Sequence, residues 1–351
     1  MKRRLLLTVA VCAAGAALVF AQAKKKIVVT GLTPDEVTQL QAAVPEANIV
    51  SVGPTERIRD PKQITRDILA QVVDADALLG TVSPEIVRAG KKLRWVQTYS
   101  AGVETYLHLA PSQELRESPI VLTNAKIIQG PNIADHAFAL LLALTRDLHR
   151  IIPNRTKEQW TRGQHPAIEL NGKTAVIIGV GGIGNQIAVR ARAFGMKVIG
   201  IDPKDISYAP HLDKVVAPDQ LDHVLPEADV VFVAAPHTPQ THLMMGASQF
   251  EMMKKGSYFI AVSRGRLYSS EALVKALDSR RLAGAGLDVT NPEPLPPGHA
   301  LWKFENVIIT PHIAGQGDNV QNRRIGLLKE NCRRFVTGQP LLNVVDKQKG
   351  Y

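Results

Sequence analysis

Short runs of β-branched and aliphatic residues alternate along most of the chain with stretches whose apolar positions recur at helical spacing. The first series predicts strands at 27–30, 49–53, 77–82 and 95–98, each bounded by Gly, Pro or Asp. Helices are predicted between them at 34–44, 63–73 and 84–89. A long Ala/Leu-rich stretch at 133–151, with Leu140, Leu141, Leu142 and Leu144, is too apolar for a surface helix and predicts one packed between units. After a polar segment containing Trp160, Gly163 and Pro166, a second series begins. It predicts strands at 174–179, 197–201, 230–234, 258–262, 286–289 and 307–309, with helices at 183–194, 220–225 and 270–281. A last helix at 317–336 sets Leu327, Leu328 and Phe335 on one face. Alternation of this kind implies parallel sheets with helices on both faces, here as two α/β units.

The N-terminus breaks the pattern. Lys2, Arg3 and Arg4 precede an apolar run from Leu5 to Phe20, followed by Ala21-Gln22-Ala23 and then Lys24-Lys25-Lys26. A basic region, a short apolar region and a small-x-small site together read as a secretory signal peptide over 1–23. The expected location is therefore outside the cytoplasm, in the periplasm. An uncleaved membrane anchor is the alternative, and Arg3-Arg4 also fits a twin-arginine export signal. Composition then changes meaning. The chain has 351 residues, 45% hydrophobic and 21% charged, which excludes a disordered or all-membrane protein. Its net charge of +10 becomes +7 once Lys2, Arg3 and Arg4 leave with the leader. Basic residues are scattered and no recognition motif accompanies them, so no nucleic-acid partner is expected. Loss of Cys12 leaves Cys332 as the single thiol, and no Cys/His spacing reads as a metal site.

Candidate chemistry begins at the strand 174–178, which runs into Gly179-Val180-Gly181-Gly182-Ile183-Gly184 and a helix. G-x-G-x-x-G in this context is a dinucleotide loop. Gly179 makes the tight turn, Gly181 lets a pyrophosphate approach the backbone, and Gly184 lets helix and strand pack closely. The helix N-terminus adds free N–H groups and partial positive charge. Asp202 ends the next strand, 23 residues beyond Gly179, where an acid binds the adenosine ribose hydroxyls. It would repel a 2′-phosphate and favour NAD over NADP, with Lys204 nearby as a partial offset. Gly172-Lys173-Thr174 ends like a P-loop, but Ala167 stands where its first glycine is needed.

A bound nicotinamide implies hydride transfer, so the protein must supply a proton donor and a substrate anchor. Arg264 follows an apolar strand, and its planar fork suits bidentate capture of a carboxylate. His312, after Thr310-Pro311, can protonate a carbonyl or deprotonate an alcohol. Glu293, between Pro292 and Pro294, is a candidate partner that keeps the acid form of His312 available. Taken singly, each also reads as a surface or turn residue. Together they fall where open α/β sheets bind ligands, beyond the carboxyl ends of strands.

At these residues the chain resembles the D-isomer-specific 2-hydroxyacid dehydrogenase family over nearly all of its mature length. Ser263-Arg264-Gly265 is similar to the family's arginine motif. The run from Gly284 through Asp288, Glu293-Pro294-Leu295-Pro296 and Trp302 to Thr310-Pro311-His312-Ile313-Ala314-Gly315 is similar to its C-terminal signature. The resemblance implies Arg264 as carboxylate anchor, His312 as acid/base and Glu293 as its partner, with Asp288 near the nicotinamide. It implies that the loop Ser100-Ala101-Gly102-Val103 holds the substrate carboxylate through backbone N–H groups, and that Pro236 and Thr238 line the cofactor. A flavodoxin-like substrate domain of 24–125 plus 317–351 would enclose a Rossmann-type NAD-binding domain of 126–316, and the long helix would serve a homodimer. Tyr99, His108 and Trp302 are further candidates for the substrate pocket. Ala261, Ser269, His237 and Asp135 depart from the family's commoner residues without removing a chemical group. The expected function is reversible reduction of a small 2-keto acid to an (R)-2-hydroxy acid with NADH. The alternative is a non-catalytic NAD-binding sensor of the same fold.

Overall fold

Twelve strands form two sheets in the computed structural model, which describes residues 23–351 apart from 54–60, 110–112, 161, 164, 166, 207–208 and the side chains of 61–64. The expected leader, with Arg3, Arg4 and Cys12, lies outside the described residues apart from Ala23. The first sheet contains β1 (Lys25–Thr30), β2 (Ala47–Val52), β3 (Ala77–Leu79), β4 (Trp95–Gln97) and β5 (Val121–Thr123). Its order is β2-β1-β3-β4-β5, and every pairing is parallel. The second contains β6 (Thr174–Ile178), β7 (Lys197–Ile201), β8 (Lys214–Val216), β9 (Val230–Val233), β10 (Ser257–Ala261), β11 (Leu282–Leu287) and β12 (Val307–Ile309). Its order is β12-β11-β10-β9-β6-β7-β8, again all parallel. The orders reverse beside β1 and β6, the arrangement of flavodoxin-like and dinucleotide-binding sheets. Two doubly wound parallel-sheet domains are therefore present.

Two strands, β5 and β8, are not anticipated by the sequence pattern, and β11 starts at Leu282 rather than 286. The early half of β11 is Leu-Ala-Gly-Ala, which carries little strand propensity. Its smallness serves packing. The helix Gly130–Thr145 lies directly on this strand, and a Cβ on Gly286 would come within 2.8 Å of the Leu140 Cβ. Ala134, Ala137, Phe138, Leu140, Leu141 and Leu144 of that helix are all buried against Ile177, Phe232 and Ile260. Each large side chain so buried contributes about 1.5–3 kcal/mol.

The predicted helix 133–151 is interrupted. It ends at Thr145, Asp147 turns left-handed at φ 56°, and a short helix Leu148–Ile151 follows. The cause is the polar segment beyond it. The Ile168 N–H donates to the Thr145 carbonyl at 2.8 Å, and the Asp147 carboxylate takes His165 Nδ1 at 2.8 Å. Helix-end groups that would have continued the ladder are thus satisfied from outside.

The helix Val320–Thr337 packs on the first sheet, where Ile325, Leu328 and Cys332 share a core with Ile27, Val29, Leu40 and Trp95. Residues beyond it return to the same sheet through a bridge between Thr123 and Val344, with Val345 in its core. No helix among the described residues is long and apolar enough to cross a membrane.

Candidate functional site

The carboxyl ends of both sheets open onto one cleft of about 1560 Å³. Residues after β4, β6, β7, β9, β10, β11 and β12 line it. Of the residues singled out in the sequence, Ala101, Gly102, Gly179, Gly181, Gly182, Ile183, Asp202, Pro236, Thr238, Arg264, Asp288 and His312 all face this cleft. Gly184, Val103 and Glu293 do not line it, though each supports a residue that does.

The glycine loop is shaped for an anion. Gly179 has φ +91°, and the helix Gly182–Ala193 starts at Gly181 with no side-chain cap on its free N–H groups. A Cβ on Gly181 would meet nothing within 4 Å, so the backbone here is bare toward the cleft. A Cβ on Gly184 would lie 1.9 Å from the Gly179 carbonyl oxygen, so its task is helix–strand contact. Asp202 holds the loop from the next strand. Its carboxylate accepts from Val180 N and Lys204 N, both at 2.9 Å. Residues resembling a dinucleotide cradle therefore do present the open backbone and the helix end that a pyrophosphate requires.

His312 and Glu293 meet, Nδ1 to Oε1, at 2.7 Å. Both remain about two-fifths exposed, 43% and 41%, so the imidazole is open to the cleft and to water. The ring is aimed by an unusual backbone. His312 has φ 53°, a left-handed conformation for a non-glycine residue. Its N–H is held by the carbonyls of Asp288 (2.9 Å) and Thr310 (3.0 Å). Asp288 was expected beside the nicotinamide. It does line the cleft, but its carboxylate is spent on the turn around His312. Oδ1 accepts from Thr310 Oγ1 at 2.7 Å and Ile313 N at 2.9 Å, while Oδ2 accepts from Ala314 N at 3.0 Å. His136, on the helix Gly130–Thr145, joins this network at Thr310 Oγ1, 2.8 Å away.

Arg264 faces the loop after β4 across the cleft. Its Nε donates to Glu104 Oε1 at 2.5 Å and its Nη1 to the Ser263 carbonyl at 2.7 Å. Glu104 is nearly buried and no sequence motif points to it, because its partner is 160 residues away. Val103 is buried in the core of the first domain and begins the short helix that carries Glu104.

Further groups escape motif reading. His237 faces the cleft and shares a hydrogen bond with His242, Nε2 to Nδ1 at 3.2 Å. Burial first, and then the neighbouring His242, push its pKa below the ordinary histidine value. Lys126 also lines the cleft, its pKa lowered by burial and then by Lys204. The Tyr351 ring closes the far end, beneath the Lys204 ammonium at 4.7 Å. Of the three expected pocket residues, Tyr99 lines the cleft, donating its hydroxyl to the Leu79 carbonyl at 3.2 Å. Trp302 does not: it is 52% exposed and donates Nε1 to Pro296 O at 3.1 Å. Nor does His108, which packs instead against Gly350. Among the described residues no group of three His, Cys, Asp or Glu side chains could hold a metal ion.

Residues 138–314 match the family model for the D-isomer specific 2-hydroxyacid dehydrogenase, NAD binding domain. The chain is 32% identical over 290 residues to a glyoxylate reductase of Korarchaeum cryptofilum, covering 80% of this chain and 86% of that one. A D-isomer specific 2-hydroxyacid dehydrogenase family protein from Aeromonas salmonicida is 30% identical, with a TM-score of 0.75 over 93% of this chain and 100% of its own. An NADPH-dependent glyoxylate/hydroxypyruvate reductase from Sinorhizobium meliloti, solved with NADP and sulfate, is 25% identical with a TM-score of 0.75, covering 93% and 100%. The chain belongs to the D-isomer-specific 2-hydroxyacid dehydrogenase family.

Proposed function

We propose that the protein interconverts a small 2-keto acid and its (R)-2-hydroxy acid, with NADH as the preferred cofactor. The observation that carries this reading is the convergence of the His312–Glu293 pair and Arg264 on the cleft that holds the bare glycine loop. A nicotinamide dinucleotide, when bound, supplies the hydride. The groups fitted to hold it are the backbone of Gly181, Gly182 and Ile183 at the helix start and the Asp202 carboxylate at the ribose end, with Pro236 and Thr238 along the wall. In the reducing direction His312 donates a proton to the carbonyl oxygen while Glu293 holds the ring through Nδ1. Arg264 and the backbone of Ala101 and Gly102 fix the carboxylate, with the buried Val103 holding that loop in place, so that the keto group is presented to His312 in one orientation.

The preference for NADH rests on Asp202. A carboxylate there is hydrogen-bonded to two backbone N–H groups and stands ready for ribose hydroxyls, against which a 2′-phosphate would be repelled. The relative from Sinorhizobium meliloti is NADPH-dependent, so a higher kcat/KM with NADH than with NADPH is the expected result here and the reverse would overturn the preference. Purified protein is assayed for loss of NADH or NADPH absorbance with glyoxylate, hydroxypyruvate, pyruvate and 2-ketobutyrate. Turnover of at least one acid that disappears in His312→Ala is the expected result. No turnover with any acid and either cofactor, or an unimpaired His312→Ala, would falsify the reading.

A further inference from the structure

Arg264 is not free to choose how it meets a carboxylate. A guanidinium offers two bidentate edges, Nε with Nη2 and Nη1 with Nη2. The first is closed by Glu104, whose Oε1 accepts from Nε at 2.5 Å. The Ser263 carbonyl takes one hydrogen of Nη1 at 2.7 Å. Nη2 lies against Gly102, where a Cβ would come within 2.0 Å of it. The same Cβ would lie 2.6 Å from Glu104 Oε2, so only a glycine at 102 leaves room for the Glu104–Arg264 pair. Glu104 is anchored for this task. Its side chain is 9% exposed, it begins a helix whose Leu107 is fully buried, and the preceding Val103 is sealed in the core of the first domain. Arg264 stands on the other domain, after β10.

From this geometry we infer that Glu104 is a positioning residue for the reaction. Acting through Arg264, it blocks the Nε edge and leaves the Nη2 end, beside the backbone of residues 101–103, to receive the substrate carboxylate. The inference rests on the reading of Arg264 as the carboxylate anchor. It has a consequence that distinguishes it from simple charge neutralisation. With Glu104 gone, the guanidinium still attracts a carboxylate by its charge but is no longer held at one angle, so binding survives while the keto carbon is misplaced relative to His312. Because the pair joins residues of the two domains, it also ties the anchor on one to the loop that completes the site on the other.

Steady-state kinetics on the full-length protein tests this. Glu104→Ala is expected to lower kcat for the best keto acid by about a hundredfold, with KM within about threefold and NADH affinity, read by fluorescence, unchanged. Glu104→Gln retains an acceptor oxygen at the same reach and is expected to restore kcat to within about fivefold. Glu104→Asp withdraws the acceptor by one methylene, and its kcat should fall as that of the alanine variant does. If Glu104→Ala does not fold, the contrast between Gln and Asp carries the test alone. A loss confined to KM, or Gln and Asp variants that behave alike, overturns the inference. A wild-type protein inactive on every acid instead overturns the proposed function.

Discussion

The backbone of Asp288 and the backbone of His312 are hydrogen-bonded to each other, N–H to carbonyl at 2.9 Å, while the Asp288 carboxylate closes the turn on either side of the histidine. A left-handed His312 persists because three donors converge on one buried acid. Asp288→Asn should therefore damage the site without touching substrate. One oxygen becomes an NH₂ group that meets a backbone N–H, donor against donor, at a cost of about 1–3 kcal/mol. The expected outcome is a lower Tm and a fall in kcat of ten-fold or more, with the keto-acid KM little changed. A variant with wild-type Tm and kcat would remove Asp288 from this role.

Two glycines of the phosphate loop, Gly181 and Gly184, predict opposite phenotypes. Alanine at 184 would push a Cβ to 1.9 Å from the Gly179 carbonyl oxygen, an overpacking of the helix–strand contact worth about 1–3 kcal/mol. Its Tm should fall by several degrees. Alanine at 181 meets open space, so Tm in the absence of cofactor should hold. The methyl group would instead obstruct a pyrophosphate, and NADH affinity should drop by about tenfold or more. Thermal melts with and without NADH separate the two. Equal loss of Tm in both variants would refute the assignment of distinct tasks.

What the sequence made legible follows from how local each signal is. The strand–glycine–helix unit and the acid at 202 sit on neighbouring elements, and their spacing reports their job directly. Arg264 and His312 were visible as strand-end residues, although neither reveals its partner by spacing alone. Glu104 was missed because its meaning arises only when two domains meet. The helix expected to run to 151 stops at 145 for a similar reason: the groups that satisfy its end come from His165 and Ile168, across a loop. β5 and β8 are three residues each and are held by their neighbours in the sheet rather than by their own pattern. The place of Asp288 at the cleft follows from its strand end, whereas its hydrogen bonds to the turn around His312 have no sequence signature.

Cys332 predicts a chemically silent thiol. It has no exposed surface, and burial raises its pKa far above the ordinary range for a thiol. The thiolate is the reactive form, so alkylation requires unfolding of the terminal helix or the sheet beneath it. Iodoacetamide should label the native protein at a rate set by opening, and label the denatured chain within minutes. Rapid native labelling would show that the helix Val320–Thr337 is not docked on the first sheet in solution.

Two histidines set an acid limb on stability. Burial pushes the pKa of both His237 and His108 below 6.5, with His242 adding to the effect at the first and Arg116 at the second. The unfolded chain therefore binds protons that the native protein does not. The contribution of these two groups is expected to be flat above about pH 7, to decline as pH falls below 6.5, and to level once the native histidines also protonate. This limb lies above the pH range in which carboxylates titrate. His237→Leu removes one of the two titrations and fills the same space with an apolar group. Its Tm should decline less than that of the wild type between pH 7 and pH 5, with the remaining slope belonging to His108. Histidine ring resonances followed by NMR should place His237 among the groups still neutral at pH 6.5. Parallel Tm curves for variant and wild type across that interval would mean that the His237 site already accepts the proton without cost.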